Sequence, residues 1–274
     1  MIPNILSIAG TDPSGGAGIQ ADLKVFSALG VYGMSVITCV VAQNTCGVRG
    51  SVVLEPDFVR DQLDAVFEDV RVDAVKIGMV ATAGIVEAIA SCLDRYRPGN
   101  VVFDPVMVAK SGDALMAPDA VEAVKALLLP RCDVVTPNLP EAEVLLGRRP
   151  AWSAGVMRQE ALALLETGAR RVLLKGGHLG GSDVSTDVLC GPEGILELTA
   201  PRIESGNDHG TGCTLSAAIA AFLPRYGVTD SVRLAKAYLS EALAASDYLD
   251  VGRGHGPLHH SCRLRVCPET FISG

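Results

Sequence analysis

NILSIAGTDPSGGAGIQADLKVFSAL, residues 4–29, reads as a strand, a glycine-rich turn and a helix. Ile5–Ala9 is a short apolar run closed by Gly10, Thr11, Asp12 and Pro13, and Gly18–Leu29 follows as a helix. The same unit recurs outward from it. Further strands are expected at Ser35–Val41, Ala74–Ile77, Val101–Phe103, Val134–Thr136 and Val172–Leu174. Helices are expected at Asp57–Val70, Ala83–Arg95, Pro118–Leu129, Glu141–Leu146, Val156–Thr167, Thr211–Pro224 and Ser231–Leu249. Strand and helix in alternation predict an α/β protein with a mainly parallel sheet covered on both faces. Aromatic residues make up only 4% of the chain, so Ala, Val, Leu and Ile must build the core. A hairpin of Thr186–Leu189 and Ile195–Thr199 is expected to decorate the sheet. No Pro/Ser-rich linker and no solenoid repeat divides the 274 residues, which reads as one domain.

A formal charge of −8 argues against general binding to nucleic acid or anionic membranes. It leaves room for an anionic substrate, because a few local donors bind a phosphate. The opening MIPNILSIAG lacks the basic region and apolar stretch of a signal peptide, and no apolar run reaches membrane-spanning length. A cytoplasmic protein is expected. Eight cysteines lie mostly in apolar segments, which suits buried thiols better than a disulfide framework.

In open parallel sheets, ligands bind beyond the carboxyl ends of the strands. Here those ends lead into Gly10-Thr11-Asp12, Gln43-Asn44, Gly78-Met79, Asp104-Pro105, Pro137-Asn138 with Glu141, and Lys175-Gly176-Gly177-His178. Polar and glycine residues therefore converge on one rim.

Two glycine clusters open helices. In Gly10–Gly18, Gly16 and Ala17 stand where a P-loop requires Lys and Ser/Thr, so it is not a P-loop. It is either a plain turn or a loop whose N–H groups bind an anion or a polar ring. The second cluster, Asn207–Thr214, could aim the amides of residues 210–213 at a transferring phosphoryl group. Cys213 would then sit at a positive helix end, which lowers a thiol pKa. Asp104 and Glu141 are metal candidates on the same rim, although Glu141 equally suits the first turn of a helix. Lys175 ends an apolar strand and needs a partner there, such as a phosphate. Met79 and Met107 are expected in the core, or against an aromatic ring. His255, His259, His260, Cys262 and Cys267 match no metal-ligand spacing and read as surface residues of a segment from Gly252 that is a tail or an edge addition.

SIAGTDPSGGAGIQADLKVFSALGVYGMSVITCVVAQNTCGV (7–48), KIGM (76–79), DPVMVAKSGDALM (104–116), TPNLPEAEVLLG (136–147), KGGH (175–178) and HGTGCTLSAAIAA (209–221) follow one another in order. Together they resemble the hydroxymethylpyrimidine/phosphomethylpyrimidine kinases of thiamin biosynthesis, within the ribokinase-like superfamily. The resemblance runs from about residue 4 to about residue 260, so 1–260 is expected as the kinase domain and 261–274 as a tail of unknown role. It implies a ribokinase-like fold, a homodimer, small-molecule substrates, and magnesium with ATP as donor. It implies two reactions, in which 4-amino-5-hydroxymethyl-2-methylpyrimidine becomes its monophosphate and then its diphosphate. Carried over by position, Gln43 would pair with the pyrimidine's polar edge, and Gly10, Asp22, Met79 and Val106 would form the rest of that pocket. Lys175, Asn138, Thr211 and Gly212 would meet ATP, and Asp104 and Glu141 would surround magnesium. Gly210, Thr211, Gly212 and Cys213 match the anion hole, with Cys213 accepting or relaying the hydroxyl proton.

Asp208 departs from the pattern, which leads one to expect Thr there. It would weaken ATP binding or help hold a cation. The nearest rival is a pyridoxal or pyridoxine kinase, and Gln43 favours the aminopyrimidine. A sugar kinase normally has Asp at position 213. A non-catalytic pyrimidine sensor would not need Lys175, Glu141 and the anion hole.

Overall fold

A computed structural model describes residues 1–107, 116–180 and 183–264. The strands are β1 (Asn4–Ala9), β2 (Tyr32–Ile37), β3 (Cys39–Asn44), β4 (Gly47–Val53), β5 (Ala74–Ile77), β6 (Val101–Phe103), β7 (Val134–Val135), β8 (Val172–Leu174), β9 (Val184–Gly191) and β10 (Gly194–Pro201). The helices are α1 (Gly18–Ala28), α2 (Pro56–Phe67), α3 (Ala83–Tyr96), α4 (Pro118–Ala123), α5 (Leu139–Leu146), α6 (Ala154–Leu165), α7 (Thr211–Phe222) and α8 (Val228–Ala244). Eight strands form one sheet in the order β10-β9-β8-β7-β6-β5-β1-β2. It is parallel from β2 to β8, and the hairpin of β9 and β10 adds antiparallel pairs at one edge.

Alternate strand residues face opposite sides of the sheet, and both sides are buried. Leu6, Ile8, Val75, Ile77, Val101 and Phe103 belong to one apolar cluster with residues of α2, α3 and α6. Ile5, Ala74 and Val102 belong to the other, with residues of α1, α7 and α8. Small residues Ala217, Ala218, Ala220 and Ala221 leave α7 buried all round, so it packs closely under the sheet.

The expected strand Ser35–Val41 is broken at Thr38. Thr38 N–H donates to Ala9 O at 3.0 Å and its hydroxyl to Met79 O at 2.7 Å, which turns the chain out of the sheet. β3 then pairs antiparallel with β4 as a separate hairpin, with an irregularity at Ala42/Gln43. The helix expected at Pro118–Leu129 loosens after α4 into a π turn, Val124–Leu128, and a 3-10 turn, Leu129–Arg131.

The segment from Gly252, expected as a tail or an edge addition, is built into the fold as far as His260. Leu258 is 1% and His260 4% exposed, and Pro257 forms a parallel bridge with His209. His260 is therefore no surface residue: its Nε2 lies 3.0 Å from Thr214 Oγ1, and Tyr238 OH donates to its carbonyl at 2.6 Å. Part of the 104–116 motif, and the expected tail from residue 265 with Cys267, lie outside the described residues. All cysteines among the described residues are free thiols, and no described helix is long and apolar enough to cross a membrane.

Candidate active site

The Gly10–Gly18 loop closes on itself. Asp12 is 1% exposed, and its carboxylate accepts hydrogen bonds from Ser14 N at 2.9 Å, Ser14 Oγ at 2.6 Å, Gly16 N at 3.1 Å and Ala17 N at 2.8 Å. His209 Nε2 lies 2.8 Å from the same carboxylate. Burial works against the charge, yet hydrogen bonds from His209, Ser14 and Gln43 hold this carboxyl well below the usual range. Gly15 N donates to Asp12 O and Ile19 N to Gly10 O. The anion-binding role open to this loop in sequence is thus withdrawn, because an internal carboxylate already takes its amides.

Gln43 is half-buried on β3, and its side chain faces Asp12. Cys39, Val41, Met79, Val48 and Val106 form a small apolar cluster beside it. A side-chain carbon at Gly10 would lie 2.4 Å from Met79 Cε, so glycine there lets Met79 lie across the turn. The amide and the apolar wall suit a flat heterocycle. Asp22 reaches from α1 to Ser7 of β1 and Lys76 of β5. Its side chain is 0% exposed, accepts from Ser7 Oγ at 2.5 Å and Lys76 Nζ at 2.9 Å, and leaves Oδ1 without a partner. Burial pushes the Asp22 carboxyl up, against the pull of Lys76.

At the other end, Lys175 Nζ lies 2.7 Å from Asp104 Oδ1 and 3.9 Å from Glu141 Oε2. The lysine at the end of β8 therefore has carboxylate partners in the protein itself. Asp104 also accepts from Thr136 Oγ1 at 3.0 Å and Ser216 Oγ at 3.3 Å. Burial opposes its charge, but Lys175 and Lys76 keep the carboxyl low. Glu141 and Asn138 form a capping box on α5, with Asn138 N to Glu141 Oε2 at 2.8 Å and Glu141 N to Asn138 Oδ1 at 2.9 Å. Glu141 is both a first-turn helix acid and a rim residue. Burial first, and Asp104 second, push it up to about 7 against the pull of Lys175.

α7 begins between the two ends. Gly210 has φ +86, and a side-chain carbon there would fall 1.8 Å from Gly16 O, so only glycine lets the two loops touch. No side chain caps the first turn, whose amides have no partner within the helix. A carbon at Gly212 would lie 3.3 Å from Lys175 Nζ and 3.4 Å from Asp104 Oδ2, which brings lysine, carboxylate and helix start together. Contrary to the expectation from the helix end, the Cys213 thiol is pushed up, to about 11. Burial is the main cause and Asp22 and Asp104 add to it, outweighing Lys76 and the Gly18 amide.

Several residues escaped the sequence reading. Lys76 is 0% exposed inside β5, and a lysine within the apolar run AVKIG needs a partner just as Lys175 does. Asp187 accepts from Gly176 N at 2.9 Å and Lys236 Nζ at 2.7 Å, which fixes the turn after Lys175. Asp208 pairs with His255 at 3.2 Å. An open hollow of about 550 Å3 lined by Arg202–Gly206 and Asp208 lies along the chain leading to α7.

A parallel sheet with a glycine-opened helix facing a Lys-Asp-Glu cluster and an apolar ring pocket defines a ribokinase-like small-molecule kinase. A family model described as phosphomethylpyrimidine kinase matches residues 12–259, and the chain belongs to that family. The hydroxymethylpyrimidine/phosphomethylpyrimidine kinase of Escherichia coli (strain K12) is 57% identical over 258 residues, covering 94% of this chain and 97% of the relative. A phosphomethylpyrimidine kinase structure from Clostridium difficile 630 is 43% identical, with a TM-score of 0.78 over 88% of this chain and 99% of that one. An ADP complex of Bacillus subtilis pyridoxal kinase superposes with a TM-score of 0.89 at 35% identity, over 97% of this chain and 100% of that one. Fold alone does not select between the two vitamins.

Proposed function

We propose that this kinase uses ATP to phosphorylate 4-amino-5-hydroxymethyl-2-methylpyrimidine and then phosphorylates the monophosphate to the diphosphate, in thiamin biosynthesis. One observation carries the reading: the uncapped start of α7 meets Lys175 and Asp104 at Gly212 and the Gly10–Gly18 loop at Gly210, and that loop packs against Met79 at Gly10. Ring recognition and phosphate chemistry then share one set of amides.

The hydroxymethyl oxygen attacks the γ-phosphorus in line; its bond to phosphorus forms as the bond to the bridging oxygen of ADP breaks. Lys175 turns from Asp104 and Glu141 to the phosphates, and the 211–213 amides hold the charge that develops on the transferring group. A thiol pushed up to about 11 is protonated near neutral pH, so Cys213 takes the hydroxyl proton only as it gives its own to an oxygen of the transferred phosphate. A loose transfer asks little of that base. In the second reaction the nucleophile is a phosphate oxygen that is already anionic, and no base is needed.

Magnesium fits this site better than a softer metal. Among the described residues no three His, Cys, Asp or Glu cluster as a closed metal cage, whereas Asp104 and Glu141 supply the two carboxylates that magnesium takes together with substrate phosphates. When bound, the ion neutralises charge on the phosphates. The hollow at Arg202–Gly206 would take the nucleoside.

Residues 1–260 form the kinase domain in this reading, since the 252–260 segment is hydrogen-bonded into the site. A cytoplasmic location follows from the need for ATP. A homodimer would cover Val40 and its strand partner Val52, which are 48% and 66% exposed on the β3–β4 hairpin. The high superposition on pyridoxal kinase favours pyridoxal as the second substrate to try.

The test is coupled ADP release with Mg-ATP and, separately, hydroxymethylpyrimidine, its monophosphate and pyridoxal. Turnover of both pyrimidines with little on pyridoxal is expected. Preference for pyridoxal would overturn the substrate, and no turnover on any of the three would point to a sensor.

A further inference from the structure

The segment Gly252–His260 has no part in the chemistry above, yet it touches both ends of the cleft. Its glycines alternate. A side-chain carbon would lie 2.2 Å from Thr45 Oγ1 at Gly252, 2.1 Å from Thr45 O at Gly254 and 1.8 Å from Asn207 Oδ1 at Gly256. Only glycine lets the chain thread between these two loops at such distances.

One side of the segment is bonded to the turn of the β3–β4 hairpin. Arg253 N and Gly254 N donate to Thr45 Oγ1 at 3.2 and 3.1 Å, and His255 N donates to Thr45 O at 2.9 Å. Thr45 lies two residues beyond Gln43. The other side is bonded to the loop that leads into the anion hole. Gly256 N donates to Gly206 O at 3.2 Å, His209 N donates to Gly256 O at 3.0 Å, and His255 Nδ1 lies 3.2 Å from Asp208 Oδ1. His209 in turn reaches Asp12 at 2.8 Å, and Asp12 faces Gln43. The hairpin lies outside the main sheet, and a two-stranded hairpin by itself is marginal in water. Its order therefore depends on what fastens its turn.

We infer that residues 252–257 form a strap that couples the pyrimidine pocket to the anion hole, with Thr45 and His209 as its positioning residues. Closing the hairpin around the ring fixes Thr45. The strap then fixes loop 206–209 and, through His209, the approach of Gly210–Cys213 to the phosphoryl group. Coupling of this kind is reciprocal, so a bound nucleotide also orders the ring pocket. The inference rests on the ligands assigned above.

The test is calorimetric binding of Mg with a non-hydrolysable ATP analogue, with and without saturating hydroxymethylpyrimidine. In the intact protein the pyrimidine should tighten analogue binding about 5- to 50-fold, within the usual range for coupled sites. Thr45→Val keeps the side-chain shape and removes the acceptor of two amides; His209→Gln changes the reach to Asp12. In each, the coupling should fall below about 2-fold with the melting temperature little changed. Should one variant fail to fold, the other gives the same reading. A coupling near one in the intact protein, or full coupling in both variants, overturns the strap while leaving the ligands intact. Failure of the intact protein to bind pyrimidine and analogue at all overturns the ligand assignment itself.

Discussion

The two ends of the cleft are built in opposite ways. The end proposed for the nucleotide is electrostatic: Lys175, Asp104 and Glu141 are largely buried, mutually paired, and carried on the rim of the main sheet and the start of α5. The end proposed for the pyrimidine is steric: Met79, Val41, Val48 and Val106 with the Gln43 amide, largely on a hairpin that leaves the sheet. The contrast teaches where rigidity is needed. Fixed charges must meet a phosphoryl group wherever it moves, and buried ion pairs hold them in place. A ring needs shape and an amide, which a fastened hairpin supplies.

The sharpest way to break this contrast is at Lys175. Lys175→Met should lower kcat/KM for either pyrimidine by about 10³-fold, because one preorganised cation on developing charge is removed. The loss should fall mainly on kcat and on the KM for ATP. Steady-state kinetics showing less than a tenfold change would mean that the charges at this end are structural.

The joint between the ends can be probed through His260, beneath Thr214 of α7. Burial, helped by Lys24 and His259, lowers its imidazole from 6.5 to about 4. The folded protein therefore refuses a proton that the unfolded chain accepts. The stability present above pH 6.5 should decline as the pH falls toward about 4, by about 3 kcal/mol, and then level off. Urea unfolding of the intact protein and of His260→Gln at both pH values should show this extra loss only in the intact chain.

Cys213 distinguishes the two reactions. Cys213→Ala should slow phosphorylation of the hydroxymethyl group about 10²-fold, the low end of the range for losing a group that takes part in proton transfer. The second phosphorylation should lose less than about tenfold, since its nucleophile carries no proton to remove. Equal losses in the two steps, measured by single turnover, would remove the relay role.

The smallest effect is expected at the ring end. Gly10→Ala would press on the Met79 methyl at 2.4 Å, and that flexible side chain can shift. The KM for the pyrimidine should rise about tenfold, or roughly 1.4 kcal/mol, with the KM for ATP at saturating pyrimidine unchanged. A rise in the KM for ATP at saturating pyrimidine would show that Gly10 also shapes the other end.

The same contrast governs what was legible in the sequence. Ala74–Ile77, Val101–Phe103 and Val172–Leu174 have the bounds read from their apolar runs, because residues that end a strand punctuate them. Lys175, Asp104 and Glu141 could be placed on one rim because each follows a strand of a parallel sheet. The hairpin end offered no such signal. Val36–Val41 contains no Gly or Pro, so nothing in its pattern announces the turn at Thr38. The place of the strap was not legible because its partners, Thr45 and loop 206–209, are remote in the chain. Asp12 and His209, 197 residues apart, are joined only by the fold. The Cys213 thiol follows the helix-end rule in sequence and departs from it in the structure, since burial raises it and Asp22 and Asp104, from α1 and the end of β6, add to that.

The central claim is that one site carries out both phosphorylations of a pyrimidine. The most direct measurement is phosphorus NMR of the products formed from hydroxymethylpyrimidine and excess Mg-ATP. The monophosphate resonance should appear first and give way to the paired resonances of a diphosphate, with both steps lost in Lys175→Met. A monophosphate that accumulates without conversion, or the absence of any phosphorylated pyrimidine, would contradict it.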